Sequence, residues 1–120
     1  MSMDVEELKR RTKEFAKRII QLCRKLPDSR EGTLIGKQLF RAGTAVGANY
    51  RAACRGRSKA DFISKLGIVL EEADESQYWL EIIAETEIMK AELLAPLIQE
   101  AGELVAIFVS SLNTAKGDGD

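Results

Sequence analysis

A stretch in the second half of the chain repeats apolar or small residues in alternating steps of four and three positions. The members of this stripe are Phe62, Leu66, Val69, Ala73, Ser76, Leu80 and Ile83. Successive residues of an α-helix are about 100° apart around its axis, so this spacing brings the whole stripe to one side of a helix. Ser58, with Asp61 three residues later, resembles a capping box and predicts where the helix begins. Because one helix cannot bury such a stripe alone, the spacing predicts lengthwise packing against other helices.

Amphipathic spacing also predicts a first and a last helix. The first covers residues 5–26 and ends before Pro27, because proline disfavours helical geometry in the residue that precedes it. The last follows a break near residues 89–93, and we expect Pro96 in its first turn, where a missing N–H group costs least. The apolar stripe of this last helix consists of Leu97, Ala101, Leu104, Phe108 and Leu112.

The second helix is predicted over residues 34–54, with Thr33 as its N-cap. The residues expected to face inward are Leu34, Leu39, Ala42, Val46, Asn49 and Ala53. The segment also contains Gly36, Gly43 and Gly47. A glycine inside a helix costs up to about 1 kcal/mol relative to alanine, so these glycines predict the close approach of a neighbouring helix.

Four helices joined by short turns predict an all-α protein, an antiparallel up-down-up-down four-helix bundle. The length of 120 residues suits one hydrophobic core. We therefore expect a single domain over residues 1–115. Residues 116–120 offer nothing to bury and are predicted to form a disordered tail.

Opposite charges are concentrated in the two halves of the chain. Residues 1–60 contain 15 Lys and Arg against 6 Asp and Glu, whereas residues 61–120 contain 3 against 13. Helices from the two halves can pack side by side and neutralise one another. Alternatively, the basic half keeps a surface open for RNA or for an acidic partner.

A basic cluster surrounds the predicted turn between the second and third helices. It consists of Arg51, Arg55, Arg57 and Lys59, with Asn49 and Tyr50 about one turn away. Arginine side chains suit phosphate recognition, so this cluster is a candidate nucleic-acid site. It can equally be a solvated corner, or pair with the acidic residues in positions 71–75. No known nucleic-acid motif is present, and the chain is mildly acidic with a pI of about 5.6.

A second candidate surface lies on the third helix. Helical geometry places Tyr78 and Ile82 opposite the buried stripe, with Trp79 beside them. Exposed aromatic and large apolar side chains favour protein interfaces. These three residues therefore predict an oligomer or partner interface, although single apolar residues are also common on protein surfaces.

The residue types give little support to catalysis or to cofactor binding. The chain has no histidine, which is the commonest general base and metal ligand. It also lacks glycine motifs for phosphates and the spacing of a metal site. We expect no enzyme activity, no cofactor and no metal. Cys23 and Cys54 are expected to be reduced thiols of a cytoplasmic protein without a membrane segment.

Residues 38–51, QLFRAGTAVGANYR, and residues 57–62, RSKADF, resemble the bacterial four-helix-bundle family. This family includes proteins encoded by 23S ribosomal RNA intervening sequences, also called S23 ribosomal proteins. The resemblance extends from Phe15 to Phe108 and includes the run Tyr78-Trp79-Leu80-Glu81. One departure is Ala52, which stands where many members carry a glutamate.

The resemblance implies an antiparallel bundle that assembles into a homopentameric ring, with a role in binding RNA. Related accessory proteins of diversity-generating retroelements bind nucleic acid and a reverse transcriptase. The resemblance does not make the chain a ribosome component, since the strongly basic charge of a ribosome binder is missing.

The leading functional hypothesis is therefore a homo-oligomeric, pentameric bundle that binds or scaffolds another macromolecule, RNA among the candidates. The alternative is a monomeric or dimeric adaptor that binds a protein partner through Tyr78, Trp79 and Ile82, without nucleic acid.

Overall fold

Four α-helices form the fold in a computed structural model that describes residues 4–117. Their bounds are Val5–Arg24 for α1, Arg30–Cys54 for α2, Lys59–Glu85 for α3 and Ala91–Ala115 for α4. Each helix packs on the next one along the chain, and α1 touches α4 at fewer positions. The predicted all-α four-helix bundle is confirmed. The predicted tail falls largely at residues 118–120, which lie outside the described residues.

The core is one cluster to which all four helices contribute. The α3 stripe is fully buried from Leu66 to Ile83, and its first member, Phe62, is partly buried. The predicted α4 stripe is buried from Leu97 to Phe108. Leu94, one turn before that stripe, is completely buried as well. The helical spacing of the sequence therefore located the inner faces of α3 and α4 correctly.

Glycines let α1 and α2 approach each other closely. A Cβ atom added to Gly43 would lie 2.7 Å from Cγ1 of Ile19 on α1, and one added to Gly36 would lie 2.8 Å from Cδ1 of Leu26, just after the end of α1. A Cβ atom at Gly47 would lie 3.2 Å from backbone atoms of Thr12. The close neighbour that the glycines of α2 predicted is therefore α1.

Serine caps begin both central helices. The Ser58 hydroxyl accepts a hydrogen bond from the Asp61 N–H at 3.0 Å, as predicted for α3. The Asp61 carboxylate accepts from the Arg57 N–H at 3.1 Å, which lowers the pKa of Asp61. In a standard capping box the third helical residue bonds to the N–H of the N-cap. Asp61 bonds instead to the N–H of Arg57, the residue before the N-cap, and thereby closes the α2–α3 turn.

Two expectations for α2 were wrong. The helix begins at Arg30, and its N-cap is Ser29 rather than Thr33, because the Ser29 hydroxyl accepts from the Gly32 N–H at 3.1 Å. Leu34 was expected to face inward but is 54% exposed. It precedes the buried Leu39 by five residues, a step that turns a helix about 140° away from the buried side.

The position of Pro96 was also predicted wrongly. It is the sixth residue of α4, beyond the first turn, and lies on the exposed side. Proline removes the N–H group that would bond to the carbonyl of Glu92. Glu92 is an exposed residue of the first turn, so water can reach this carbonyl and the helix continues through the proline.

By length and composition α4 is long and apolar enough to cross a bilayer. Its apolar stripe is nevertheless packed in the core with the other helices, and Glu100 and Glu103 on its surface bind Arg11 of α1. In the bundle one side of α4 packs in the core, and 28% of its apolar window is buried.

Candidate nucleic-acid and assembly surfaces

A basic groove lies where the start of α1 runs beside the end of α2. The groove is lined by five basic residues and one acid. The basic residues are Lys9, Arg10, Lys13, Arg51 and Arg55, and the acid is Glu6. The cavity has a volume of about 430 Å³. We call these five basic residues the basic groove. The antiparallel packing of two helices thus brings together side chains that are about 40 positions apart in the chain.

Positive charge in the basic groove is only partly neutralised. Lys9 lies 3.5 Å from Glu6, and Arg10 lies 3.8 Å from Glu7, both within α1. Lys13, Arg51 and Arg55 make no ion pair with any residue between positions 4 and 117. The groove therefore presents three uncompensated cations to solvent.

The predicted cluster of Arg51, Arg55, Arg57 and Lys59 is divided by the structure. Arg51 and Arg55 line the basic groove, whereas Arg57 and Lys59 are exposed at the α2–α3 turn and do not line it. Sequence reasoning missed the contribution of α1. An antiparallel α1–α2 pair places the first turns of α1 beside the last turns of α2, and that signal was available in the predicted topology.

Tyr50 belongs to the core rather than to the basic surface. It is 4% exposed, and its ring centroid lies 5.5 Å from that of Phe108 on α4. Burial raises the pKa of the Tyr50 hydroxyl. Asn49 donates its side-chain amide to the Ala45 carbonyl at 2.9 Å. Neither residue is placed to extend the basic groove.

Neutralisation between the two halves of the chain occurs at other residues. Arg11 on α1 donates Nε and Nη2 to the two carboxylate oxygens of Glu100 at 2.7 Å, and Nη2 also to Glu103 at 2.6 Å. These contacts, the one with Glu100 above all, raise the pKa of Arg11. On α2, Arg41 bonds to Glu72 and Glu75 of α3. The arginines that pair with acids are thus different from those of the basic groove.

Tyr78, Trp79 and Ile82 are not equally exposed. Tyr78 is 53% exposed, whereas Trp79 is partly buried against the core and Ile82 is of intermediate exposure. The Trp79 indole N–H donates to Glu75 at 3.1 Å, on the side of α3 that faces Arg41. The Tyr78 and Trp79 ring centroids are 4.9 Å apart, with the edge of one ring toward the face of the other. Tyr78 is therefore the side chain that projects from this surface.

Acidic residues surround Tyr78 along the outer face of α3. Helical spacing places Asp74 and Glu81 one turn to either side of it, with Glu71 and Glu85 one turn further. These four carboxylates have no ion-pair partner in the part of the chain that the structure describes. We call Tyr78, Ile82 and these four acids the acidic stripe.

A second groove lies at the other end of the α1–α2 pair, beside the turn that joins the two helices. Cys23, Leu26 and Phe40 supply apolar lining, Lys37 and Asp28 supply charge, and the cavity has a volume of about 410 Å³. Phe40 is 46% exposed. We call this site the apolar groove.

Both cysteines are free thiols. Burial raises the pKa of Cys23 to about 11, and its thiol lies 3.8 Å from the Gly36 carbonyl. At neutral pH the thiol is protonated and hence a poor nucleophile or metal ligand. Among residues 4–117 there is also no group of three Cys, Asp or Glu side chains placed to share a metal ion.

Protonation of Glu75 is expected to change the fluorescence of Trp79, the single tryptophan of the chain. Hydrogen bonds from Trp79 and Arg41 lower the pKa of Glu75. Glu75 is therefore ionised at neutral pH and accepts both hydrogen bonds. They are lost as the pH falls through this lowered pKa, which lies below the ordinary pKa of a glutamate, about 4.3. We expect constant emission from neutral pH down to that range and a shift below it, measured while far-UV circular dichroism reports an intact fold.

The matched control for this titration is Glu75→Gln, which keeps an acceptor for the indole N–H but cannot titrate. The fluorescence shift should be absent in this variant. An unchanged shift in Glu75→Gln would mean that another group causes it.

Comparisons with known proteins agree with this architecture. The sequence model of the family described as 23S rRNA-intervening sequence protein matches residues 6–110. The chain is also similar to a crystal structure of a protein of unknown function from the S23 ribosomal protein family of Bacteroides thetaiotaomicron. The two chains are 36% identical, with a TM-score of 0.85, over 92% of this chain and 99% of the other. No curated protein matches the chain. The matched residues include the basic groove, the acidic stripe and the apolar groove.

Proposed function

Because the chain belongs to the 23S rRNA-intervening sequence protein family, we propose that it is a homo-oligomeric bundle, a ring of five copies, that binds RNA through the basic groove. The observation that carries the RNA part is the convergence of Lys13, Arg51 and Arg55 from two helices without an acidic partner among residues 4–117. Such a protein acts by binding rather than by catalysis.

The chemistry of the basic groove suits the RNA backbone more than the bases. Arginine and lysine side chains contact phosphates, which fix position but carry no sequence information. Tyr50, the aromatic residue nearest in sequence to Arg51, is buried and cannot stack on a base. We therefore expect recognition of structured RNA by its backbone and shape, with little dependence on sequence.

The distribution of charge over the bundle also favours binding of RNA on the side of α1 and α2. The acidic stripe lies on α3 and repels phosphate, whereas the basic groove lies between α1 and α2 and attracts it. Three uncompensated cations give weak binding for one copy. Repetition of the groove around an oligomer raises the overall affinity, because later contacts form within one complex.

The double substitution Arg51→Ala and Arg55→Ala tests RNA binding. We expect affinity for a structured RNA to fall at least about tenfold at low salt. The slope of log affinity against log salt should become shallower by about two, because two phosphate contacts and their released counterions are lost. Fluorescence anisotropy with a labelled RNA hairpin measures both quantities.

The matched control is Lys25→Ala with Lys90→Ala, which removes the same charge at the opposite end of the bundle. Both control residues are exposed and lie outside the basic groove. The RNA affinity of this control variant, and its slope of log affinity against log salt, should stay close to those of the wild type. Equal losses in the two double variants, or no binding of the wild type at low salt, would overturn the RNA proposal.

Homo-oligomer formation is tested separately by light scattering without RNA, at low and at moderate salt. The expected mass is five times that of the 13.3 kDa chain. The mass of one or two chains would instead support the alternative, an adaptor that binds a protein partner through Tyr78, Trp79 and Ile82. The exposure of Tyr78 is the observation that favours this alternative.

A further inference from the structure

We propose that the acidic stripe of one copy docks into the apolar groove of a second copy, with Tyr78 as the inserted side chain. This inference rests on the homo-oligomer in the proposed function and identifies the two surfaces that join. The surfaces are different, so the contact is head to tail.

The apolar groove has the size and lining to accept an aromatic side chain. Its volume of about 410 Å³ exceeds that of one tyrosine side chain, and Cys23, Leu26 and Phe40 supply its apolar walls. Phe40 is 46% exposed although it is a large apolar residue. Covering it would remove apolar surface from water, which stabilises association.

Tyr78 is the counterpart on the acidic stripe. Its side chain is 53% exposed, and its ring makes a T-shaped contact with that of Trp79. A tyrosine supplies a large apolar contact together with a polar hydroxyl. Asp28 in the lining of the apolar groove offers a carboxylate that can accept a hydrogen bond from that hydroxyl. Ile82, one turn further along α3, extends the apolar contact.

Two exposed bases beside the apolar groove complement the acids of the stripe. Lys37 lines the apolar groove, and Arg30 and Lys37 lie about one turn on either side of Thr33, which also lines it. Both bases are exposed and make no ion pair with another described residue. The four carboxylates of the acidic stripe likewise make no ion pair with another described residue. Two copies joined in this way place opposite charges beside a central apolar contact.

This contact leaves the basic groove accessible. The apolar groove lies beside the α1–α2 turn, whereas the basic groove lies at the start of α1 and the end of α2. The two grooves share no lining residue, so the proposed contact does not itself use the basic groove. Since a head-to-tail contact repeats from copy to copy, it gives a closed ring when the rotation closes and a filament when it does not.

A charge swap tests the docking. One variant reverses the groove side with Arg30→Glu and Lys37→Glu, and the other reverses the stripe side with Glu81→Lys and Glu85→Lys. We expect each variant to fall to the mass of one chain at a concentration where the wild type is assembled, because like charges then face each other. The chain with all four changes restores opposite charges and should assemble again. The matched control, Arg57→Glu with Lys59→Glu, reverses two exposed bases at the α2–α3 turn, away from both surfaces, and should keep the wild-type mass.

Light scattering gives the mass, and far-UV circular dichroism establishes that each variant is folded. As a second readout that keeps every charge, Tyr78→Ala should weaken assembly at least about tenfold. A wild type with the mass of one chain would overturn the homo-oligomer itself. A wild-type oligomer that none of these changes weakens, or that the four changes together fail to restore, would overturn this docking contact alone.

Discussion

Replacing Leu94 by alanine is expected to lower the free energy of unfolding by about 2–5 kcal/mol. Leu94 is completely buried in the core at the start of α4. Alanine buries less apolar surface than leucine, so part of the favourable free energy of transfer from water is lost. It also leaves a cavity that the packed neighbours fill only in part. Urea unfolding followed by circular dichroism measures the effect, at one fixed protein concentration because assembly adds to apparent stability.

Leu93 provides a matched control next to Leu94 in the chain. It is a leucine of the same helix but is 58% exposed. Leu93→Ala should change the free energy of unfolding by no more than about 0.5 kcal/mol, as is usual for surface positions. Equal effects at the two positions would contradict the orientation of α4 described here.

Gly43→Ala is expected to destabilise the bundle by about 1–3 kcal/mol, although alanine is the better helix former. The added Cβ atom would lie 2.7 Å from Cγ1 and 2.8 Å from Cγ2 of Ile19. Ile19 is completely buried, and these atoms are close to its backbone, so the clash is relieved only if α1 moves away from α2. Thermal and urea unfolding both report the loss.

Gly67→Ala is the control for this change and should have the opposite sign. Gly67 also lies inside a helix, but apart from its chain neighbours and the nearby backbone of its own helix no atom lies within 4 Å of the position its Cβ would take. Alanine there should stabilise by about 0.5–1 kcal/mol through helix propensity alone. Stabilisation by Gly43→Ala as well would mean that α1 and α2 are not in close contact at this point.

The sequence predicted the parts of the fold that depend on one helix at a time. The α3 stripe ending at Ile83 has a regular period, and Ser58 at its start has a local capping partner in Asp61. The start of α2 was predicted at position 34, four residues later than its observed start at Arg30. The cap is decided by one hydrogen bond from Gly32 to Ser29, and the identities of these residues do not reveal it.

The candidate sites were predicted less completely because they combine helices. Arg51 and Arg55 were identified from α2, but their neighbours Lys9 and Lys13 come from α1. The exposure of Tyr78 followed from helical geometry. The partial burial of Trp79 did not, because it depends on how the core packs against α3. A period measured along one helix contains no information about its neighbour.

Every extensive helix pair in this bundle joins helices that follow each other in the chain. Low average sequence separation between contacts is typical of fast folding, on the order of microseconds to milliseconds. Successive helical hairpins can form before the ends of the chain meet. Arg11 bonds to Glu100 and Glu103, which are 89 and 92 positions away, and so joins the first helix to the last. If these contacts form late, we expect them to slow unfolding of the finished bundle more than they speed its formation.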